Sequence, residues 1–203
     1  ALLDTDFDGI TNGAEALAGT HPLRDDYAPI ITPPQAVHIN ADHTFTQLGL
    51  ERLIDLTHIT VRDGLDGENC CGLTALGFET GAKNVSSGII PILWRATDNA
   101  GNTATVAQNL NIHPLINLSS DQVVAEGGTA RVEVVLSGEA PFYPATFPLI
   151  ITGDVDDADY TVVDKQIIIE QGTTGFIDIN INSDFQLEGD EQLIVSFAEG
   201  VNS

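Results

Sequence analysis

Thr103-Ala104-Thr105-Val106-Ala107-Gln108-Asn109-Leu110-Asn111-Ile112 is the stretch that decides the fold class. Ala104, Val106, Gln108, Leu110 and Ile112 share one face, with Thr103, Thr105, Ala107, Asn109 and Asn111 opposite. Successive side chains of an extended chain point to opposite sides, so this period of two predicts a strand with one face buried. The same alternation recurs in both directions along the chain. Val37 and Ile39 alternate with polar residues, as do Thr57-His58-Ile59-Thr60-Val61. Towards the end, Val132, Val134 and Leu136 alternate with Arg131, Glu133 and Val135. Ile177, Ile179 and Ile181 repeat the pattern against Phe176, Asp178, Asn180 and Asn182, and Leu193, Val195 and Phe197 repeat it once more. Turn signals separate these runs, notably Asp98-Asn99-Ala100-Gly101-Asn102, because Asn and Gly tolerate the positive φ of tight turns. The only helical candidate is short, Ala14–Ala18, and no long amphipathic helix is present. The fold class is all-β.

Prolines and polar clusters divide the chain into three stretches. Residues 1–27 are loop-like and rich in Asp, Gly and Thr. Ala28-Pro29-Ile30-Ile31-Thr32-Pro33-Pro34 is an extended linker, since each Pro disfavours helix at the residue before it. Residues 28–113 carry several short strands with turns between them, the pattern of an antiparallel sandwich of immunoglobulin type. His113-Pro114 forms a joint, and residues 114–203 fit a second such module of roughly seven strands. The expected architecture is a tandem of immunoglobulin-like antiparallel β-sandwiches preceded by an acidic loop segment.

Composition narrows the partners. The chain carries 30 Asp and Glu against 7 Lys and Arg, a formal charge of −23 over 203 residues, yet 42% of it is hydrophobic. That apolar content suffices for packed cores and argues against a disordered acidic tail. Such a surface repels nucleic-acid phosphates and anionic lipid heads and attracts cations. No apolar run is long enough to insert into a membrane as a helix. The chain begins at Ala1 and contains no Met, so we expect a piece of a longer secreted protein, with targeting signals outside it. Cys70 and Cys71 are its only cysteines and are neighbours. They form either a strained ring with each other or a reduced surface pair, and they cannot staple distant segments. No metal-binding His or second Cys pair lies near them.

The sharpest motif is Asp4-Thr5-Asp6-Phe7-Asp8-Gly9-Ile10-Thr11-Asn12-Gly13-Ala14-Glu15. Carboxylates at positions 1, 3 and 5, glycine at 6 and glutamate at 12 match a twelve-residue calcium loop. Calcium takes six to eight oxygens at ~2.3–2.6 Å, so the chain must wrap tightly around it. Asp4, Asp6 and Asp8 supply the first oxygens, and Gly9 permits the sharp turn. Ile10 is expected to offer its carbonyl, Asn12 a side chain or a water, and Glu15 two closing oxygens.

With Gly19-Thr20-His21-Pro22-Leu23-Arg24-Asp25-Asp26, this stretch resembles a thrombospondin type 3 repeat, the last of an array. The resemblance implies a calcium-rigidified spacer. Gly88-Ile89-Ile90-Pro91-Ile92-Leu93-Trp94-Arg95-Ala96-Thr97 and the turn that follows resemble the closing hairpin of a bacterial immunoglobulin-like domain of the hyalin-repeat group. Members of that group serve mostly as adhesion modules or spacers. The last stretch resembles a Calx-beta domain, carried by Val124-Ala125-Glu126-Gly127-Gly128, Asp159-Tyr160, Ile179-Asn180-Ile181-Asn182-Ser183-Asp184 and Glu188-Gly189-Asp190-Glu191-Gln192-Leu193-Ile194-Val195. This resemblance implies calcium ligands at Glu126, Asp154 or Asp156, Asp184 and Glu188. The family's Asp-Gly-Thr-Ala turn is replaced here by Gly153-Asp154-Val155-Asp156-Asp157-Ala158.

No catalytic constellation is visible. His21, His38, His43, His58 and His113 lack metal-ligand spacing, and no nucleophile elbow or phosphate-cradling glycine loop occurs. The expected function is therefore non-enzymatic: a calcium-binding structural and adhesive segment of a large secreted or cell-surface bacterial protein. Its partners would be calcium and, beyond that, surface glycans or other proteins. The alternative is a glycan-binding accessory segment of a secreted hydrolase, which needs an exposed aromatic row including Trp94, Phe142 or Tyr143. Trp94, amid Ile and Leu, reads instead as core.

Overall fold

The computed structural model describes residues 3–6, 8–33, 36–183 and 189–198. The chain is all-β, with two short helices among the described residues, and its strands fall into two compact units. Among the described residues no helix is long and apolar enough to cross a membrane.

The first unit comprises Ala1–Ile39, Gln47–Val85 and Ile89–Asn111, so the acidic N-terminal loop belongs to the same body as the strands that follow it. It opens with helix α1 (Asn12–Ala18), whose N-cap Thr11 accepts the Ala14 N–H at its side chain. Gly19 ends that helix in the left-handed region at φ 80°, returning its N–H to the Glu15 carbonyl. Strands β1 (Ile30–Thr32), β4 (Thr60–Asp63) and β5 (Gly67–Glu68) form one antiparallel sheet in that spatial order. A second sheet runs β2 (Val37–Asn40), β9 (Thr103–His113), β8 (Gly88–Thr97), β6 (Gly72–Ala75), and β3 (Thr46–Leu48) pairs with β7 (Lys83–Val85).

Strands β8 and β9 carry the core of this unit. Ile92, Trp94 and Ala96 face inward from β8, and Gln108 and Leu110 from β9, on the face that the alternation of β9 predicts. Gln108 is tolerated there because its Oε1 accepts the buried Trp94 indole N–H at 2.9 Å. Asn111, expected on the outer face, is also buried, and its side-chain amide lies 3.3 Å from His38 Nε2.

One expectation fails locally. Thr57 and His58 do not begin a strand: Leu50–Thr57 forms helix α2, and His58 caps it in the left-handed region at φ 48°. Leu53 and Thr57 are buried one turn apart, and that spacing of four is the helical signal hidden beside an apparent alternation. Between β5 and β6, Cys70 and Cys71 are disulfide-bonded to each other, with Asn69 and Cys71 at positive φ.

The second unit comprises Asn40–Thr46, Ser86–Gly88 and Ile112–Ser203. Its strands are β10 (Ile116–Leu118), β11 (Thr129–Leu136), β12 (Ala145–Gly153), β13 (Tyr160–Val162), β14 (Gln166–Ile169), β15 (Thr174–Ile181) and β16 (Leu193–Phe197). They form two antiparallel sheets, ordered β10-β11-β15-β13 and β14-β12-β16. Val132, Val134, Leu136 and Ile179 from the first sheet meet Phe147, Leu149, Ile167 and Ile169 from the second in one buried cluster. On the outer face of the first sheet, Arg131 is paired in register with Asp178 and makes a two-pronged contact with it at 2.8 and 2.9 Å. The same guanidinium lies 3.9 Å from the Phe176 ring centroid, so an exposed aromatic is covered by a cation.

Candidate metal centre

The N-terminal loop folds as its spacing demands. Gly9 takes φ 90°, a conformation that side chains rarely adopt, and this reverses the chain after Asp8. One carboxylate oxygen each from Asp4, Asp6 and Asp8 then lies within 4.8 Å of the other two. Asp8 is buried; its Oδ1 accepts the Ile10 N–H at 2.7 Å, and its Oδ2 has no partner. Asp4 Oδ2 accepts the Gly9 N–H at 3.2 Å, leaving Oδ1 unpaired. Both oxygens of Asp6 are buried without a partner.

Glu15 sits in the first turn of α1 and is fully buried at 0% exposure, with neither oxygen hydrogen-bonded. It lies outside the close trio but within its field. Burial, then the charges of Asp6, Asp8 and Asp4, raise the Glu15 pKa. Burial likewise raises Asp8 against the Ile10 N–H that favours its charged form, and Asp6, Asp4 and Asp63 add to the rise. The Asn12 side chain bridges to Thr5. Its Oδ1 accepts the Thr5 N–H at 3.0 Å and its Nδ2 donates to Thr5 Oγ1 at 2.8 Å, which closes the loop. Ile10 contributes its N–H to Asp8, as above.

The loop is seated on the β4–β5 turn. A Cβ on Gly64 would stand 1.7 Å from the Asp8 carbonyl oxygen, so the two backbones meet where only glycine fits. Beside this seat lies a second trio, Asp25, Asp63 and Asp98, which the sequence reading did not single out. Among the described residues these two trios are the clusters of metal-sized spacing.

The first loop fits a hard divalent cation. Asp4 Oδ1, both oxygens of Asp6, Asp8 Oδ2 and both oxygens of Glu15 make six buried carboxylate oxygens with no hydrogen-bond partner. Calcium asks for six to eight oxygens, and a buried carboxylate left unpaired is costly. No arginine or lysine among the described residues is hydrogen-bonded to these six oxygens.

The expected ligands of the second unit are arranged differently. Glu126, Asp154 and Asp156 are exposed. Asp154 Oδ1 accepts the Gln192 N–H, and Asp156 Oδ1 accepts the Ala158 N–H at 2.6 Å, so both close turns. Asp184 and Glu188 lie outside the described residues. Of the aromatics that a sugar platform could use, Trp94 is fully buried, whereas Phe142 is exposed. The Tyr143 hydroxyl is engaged by Glu139, by the Gly172 carbonyl and by the Ala140 N–H.

No protein-family model and no curated protein matches the chain. A solved structure, a β-glycosidase from Bacteroides vulgatus, aligns at 11% identity over 86% of this chain and 24% of its own length. Its TM-score of 0.26 is too low to carry an argument about fold or activity.

Proposed function

We propose that the chain is a non-catalytic, calcium-binding structural segment of a modular secreted or cell-surface bacterial protein. In this reading calcium stiffens the array of immunoglobulin-like and Calx-beta-like modules that presents an adhesive surface. The observation that carries it is the set of six buried, unpaired carboxylate oxygens on Asp4, Asp6, Asp8 and Glu15. Bound there, calcium supplies the positive charge that the loop lacks; the chain's own residues shape the loop, exclude water and seat it against Gly64. An acidic chain of formal charge −23 suits a calcium-rich exterior, where millimolar ion keeps such loops loaded.

Hydrogen exchange tests the stiffening directly. Amides of residues 4–26 should exchange more slowly in millimolar calcium than in chelator, with magnesium as the control. Equal exchange in calcium and chelator would sink the proposal.

A further inference from the structure

We propose that Asp25, Asp63 and Asp98 hold a second calcium ion, one that ties the N-terminal segment to the β4–β5 and β8–β9 turns of its own unit. One oxygen from each residue lies within 4.8 Å of the other two. The three come from separate parts of the chain: Asp25 from the segment after α1, Asp63 from the end of β4, and Asp98 from the turn after β8. Asp25 and Asp98 are 6% exposed. Among the described residues none of the three is ion-paired with a Lys, Arg or His.

Turn chemistry accounts for part of this arrangement. Asp63 Oδ1 accepts the N–H groups of Leu65 and Asp66 at 2.9 and 3.0 Å. Asp98 accepts the backbone N–H and the side-chain Nδ2 of Asn102 at 2.7 and 2.9 Å. Turn chemistry does not account for Asp25. Its Oδ1 accepts the Tyr27 N–H at 3.1 Å, while its Oδ2 is buried with no partner. A native fold rarely buries a carboxylate oxygen unpaired, so that oxygen calls for a cation.

The framework around it is already built. Asp66 accepts the backbone N–H and the Nδ2 of Asn99 at 2.9 and 2.8 Å, binding the β4–β5 turn to the β8–β9 turn. Asn102 Nδ2 also donates to the Asp25 carbonyl at 3.1 Å, which brings in the N-terminal segment. Oxygen donors alone select a hard cation. Three carboxylates from three loops suit the larger, more adaptable shell of calcium, whereas magnesium keeps several waters and takes one or two carboxylates. Burial, then the Asp63, Asp98 and Asp8 charges, raise the Asp25 pKa, in keeping with a crowded anionic site next to the first loop.

Counting calcium ions bound per chain, by equilibrium dialysis against radioactive calcium, tests the second site. Asp25→Asn and Asp63→Asn should each bind one ion fewer than wild type. Glu15→Gln should also lose one, and Glu15→Gln/Asp63→Asn two. If the Asp25 and Asp63 variants keep the wild-type count while Glu15→Gln loses an ion, the second site is overturned and the first loop stands. If Glu15→Gln keeps the count and Asp63→Asn loses an ion, the first loop fails and the second site stands. Folding is checked by melting each variant in chelator. An Asn at 63 keeps an acceptor for the Leu65 and Asp66 N–H groups and removes one of three repelling charges, so it should melt no lower than wild type. Should it melt lower, Asp25→Asn decides.

Discussion

Removing calcium should loosen the first unit specifically, and Trp94 reports on that unit. It is the only tryptophan, it is fully buried on β8, and its indole N–H is held by Gln108. The perturbation is chelation, compared with about 5 mM calcium. For extracellular sites with dissociation constants of roughly 0.1–1 mM, mass action at that concentration contributes about 1–2.3 kcal/mol per site. A unit of roughly 100 residues shifts its midpoint by about 4–8 °C per kcal/mol, so one site raises the Trp94 transition by roughly 4–18 °C. Glu15→Gln isolates the first loop. It preserves the shape of a fully buried side chain and removes a charge with no partner, so in chelator it should melt at or above wild type. In calcium it should lose one site's share of the rise. The reasoning is refuted if calcium leaves the Trp94 transition unmoved, or if Glu15→Gln keeps the full rise. It is equally refuted if magnesium acts as strongly, since a chain of charge −23 is stabilised by any screening cation.

Three further outcomes are expected. In chelator, acidification from about pH 7.5 to pH 5 should raise the Trp94 midpoint. Asp8, Glu15 and Asp25 have raised folded-state pKa values, so the native chain binds more protons than the unfolded one and stability falls as pH rises through those values. In saturating calcium the trend should reverse, because protons compete with the ion; melts across that range in both conditions check it. Gly64→Ala should weaken calcium binding and destabilise the first unit by about 1–3 kcal/mol, read by titration calorimetry and Trp94 melts, because its Cβ collides with the Asp8 carbonyl. Gln108→Leu should cost about 1–3 kcal/mol and shift the Trp94 emission, because it strands a buried indole N–H.

What was legible in the sequence followed from short-range periodicity. The alternation of Val132, Val134 and Leu136 is the buried face of β11, and that of Ala104 to Ile112 the inward face of β9. The clustering of Asp4, Asp6 and Asp8 was legible because they lie within a twelve-residue motif whose chain reversal depends on one glycine. Helix α2 was missed because Thr57-His58-Ile59-Thr60-Val61 alternates by chance across a helix end and a strand start. Asp63 and Asp98 were hidden for a different reason. Each stands in an ordinary turn signal, and an Asp that caps a turn leaves no trace in the sequence of what else its carboxylate meets. Gly64 carried no sequence signal either, since only the approach of Asp8 gives it a role.

The seat on Gly64 would set the direction in which calcium bound as proposed acts. If the N-terminal loop were a free tether, loading it would order that segment and leave the strands unchanged. Here the Asp8 backbone rests on the β4–β5 turn, whose next residue but one, Asp66, grips Asn99 of the β8–β9 turn. Strands β8 and β9 carry Trp94 and Leu110 of the core. Calcium bound as proposed by Asp4, Asp6, Asp8 and Glu15 would therefore favour a loop shape that fits only the folded turn, and the linkage would be reciprocal. On the proposed reading, calcium would stabilise the β unit, and the folded β unit would tighten calcium. Loop peptides cut away from the strands should accordingly bind calcium more weakly than the intact chain, whereas equal affinity would break this coupling.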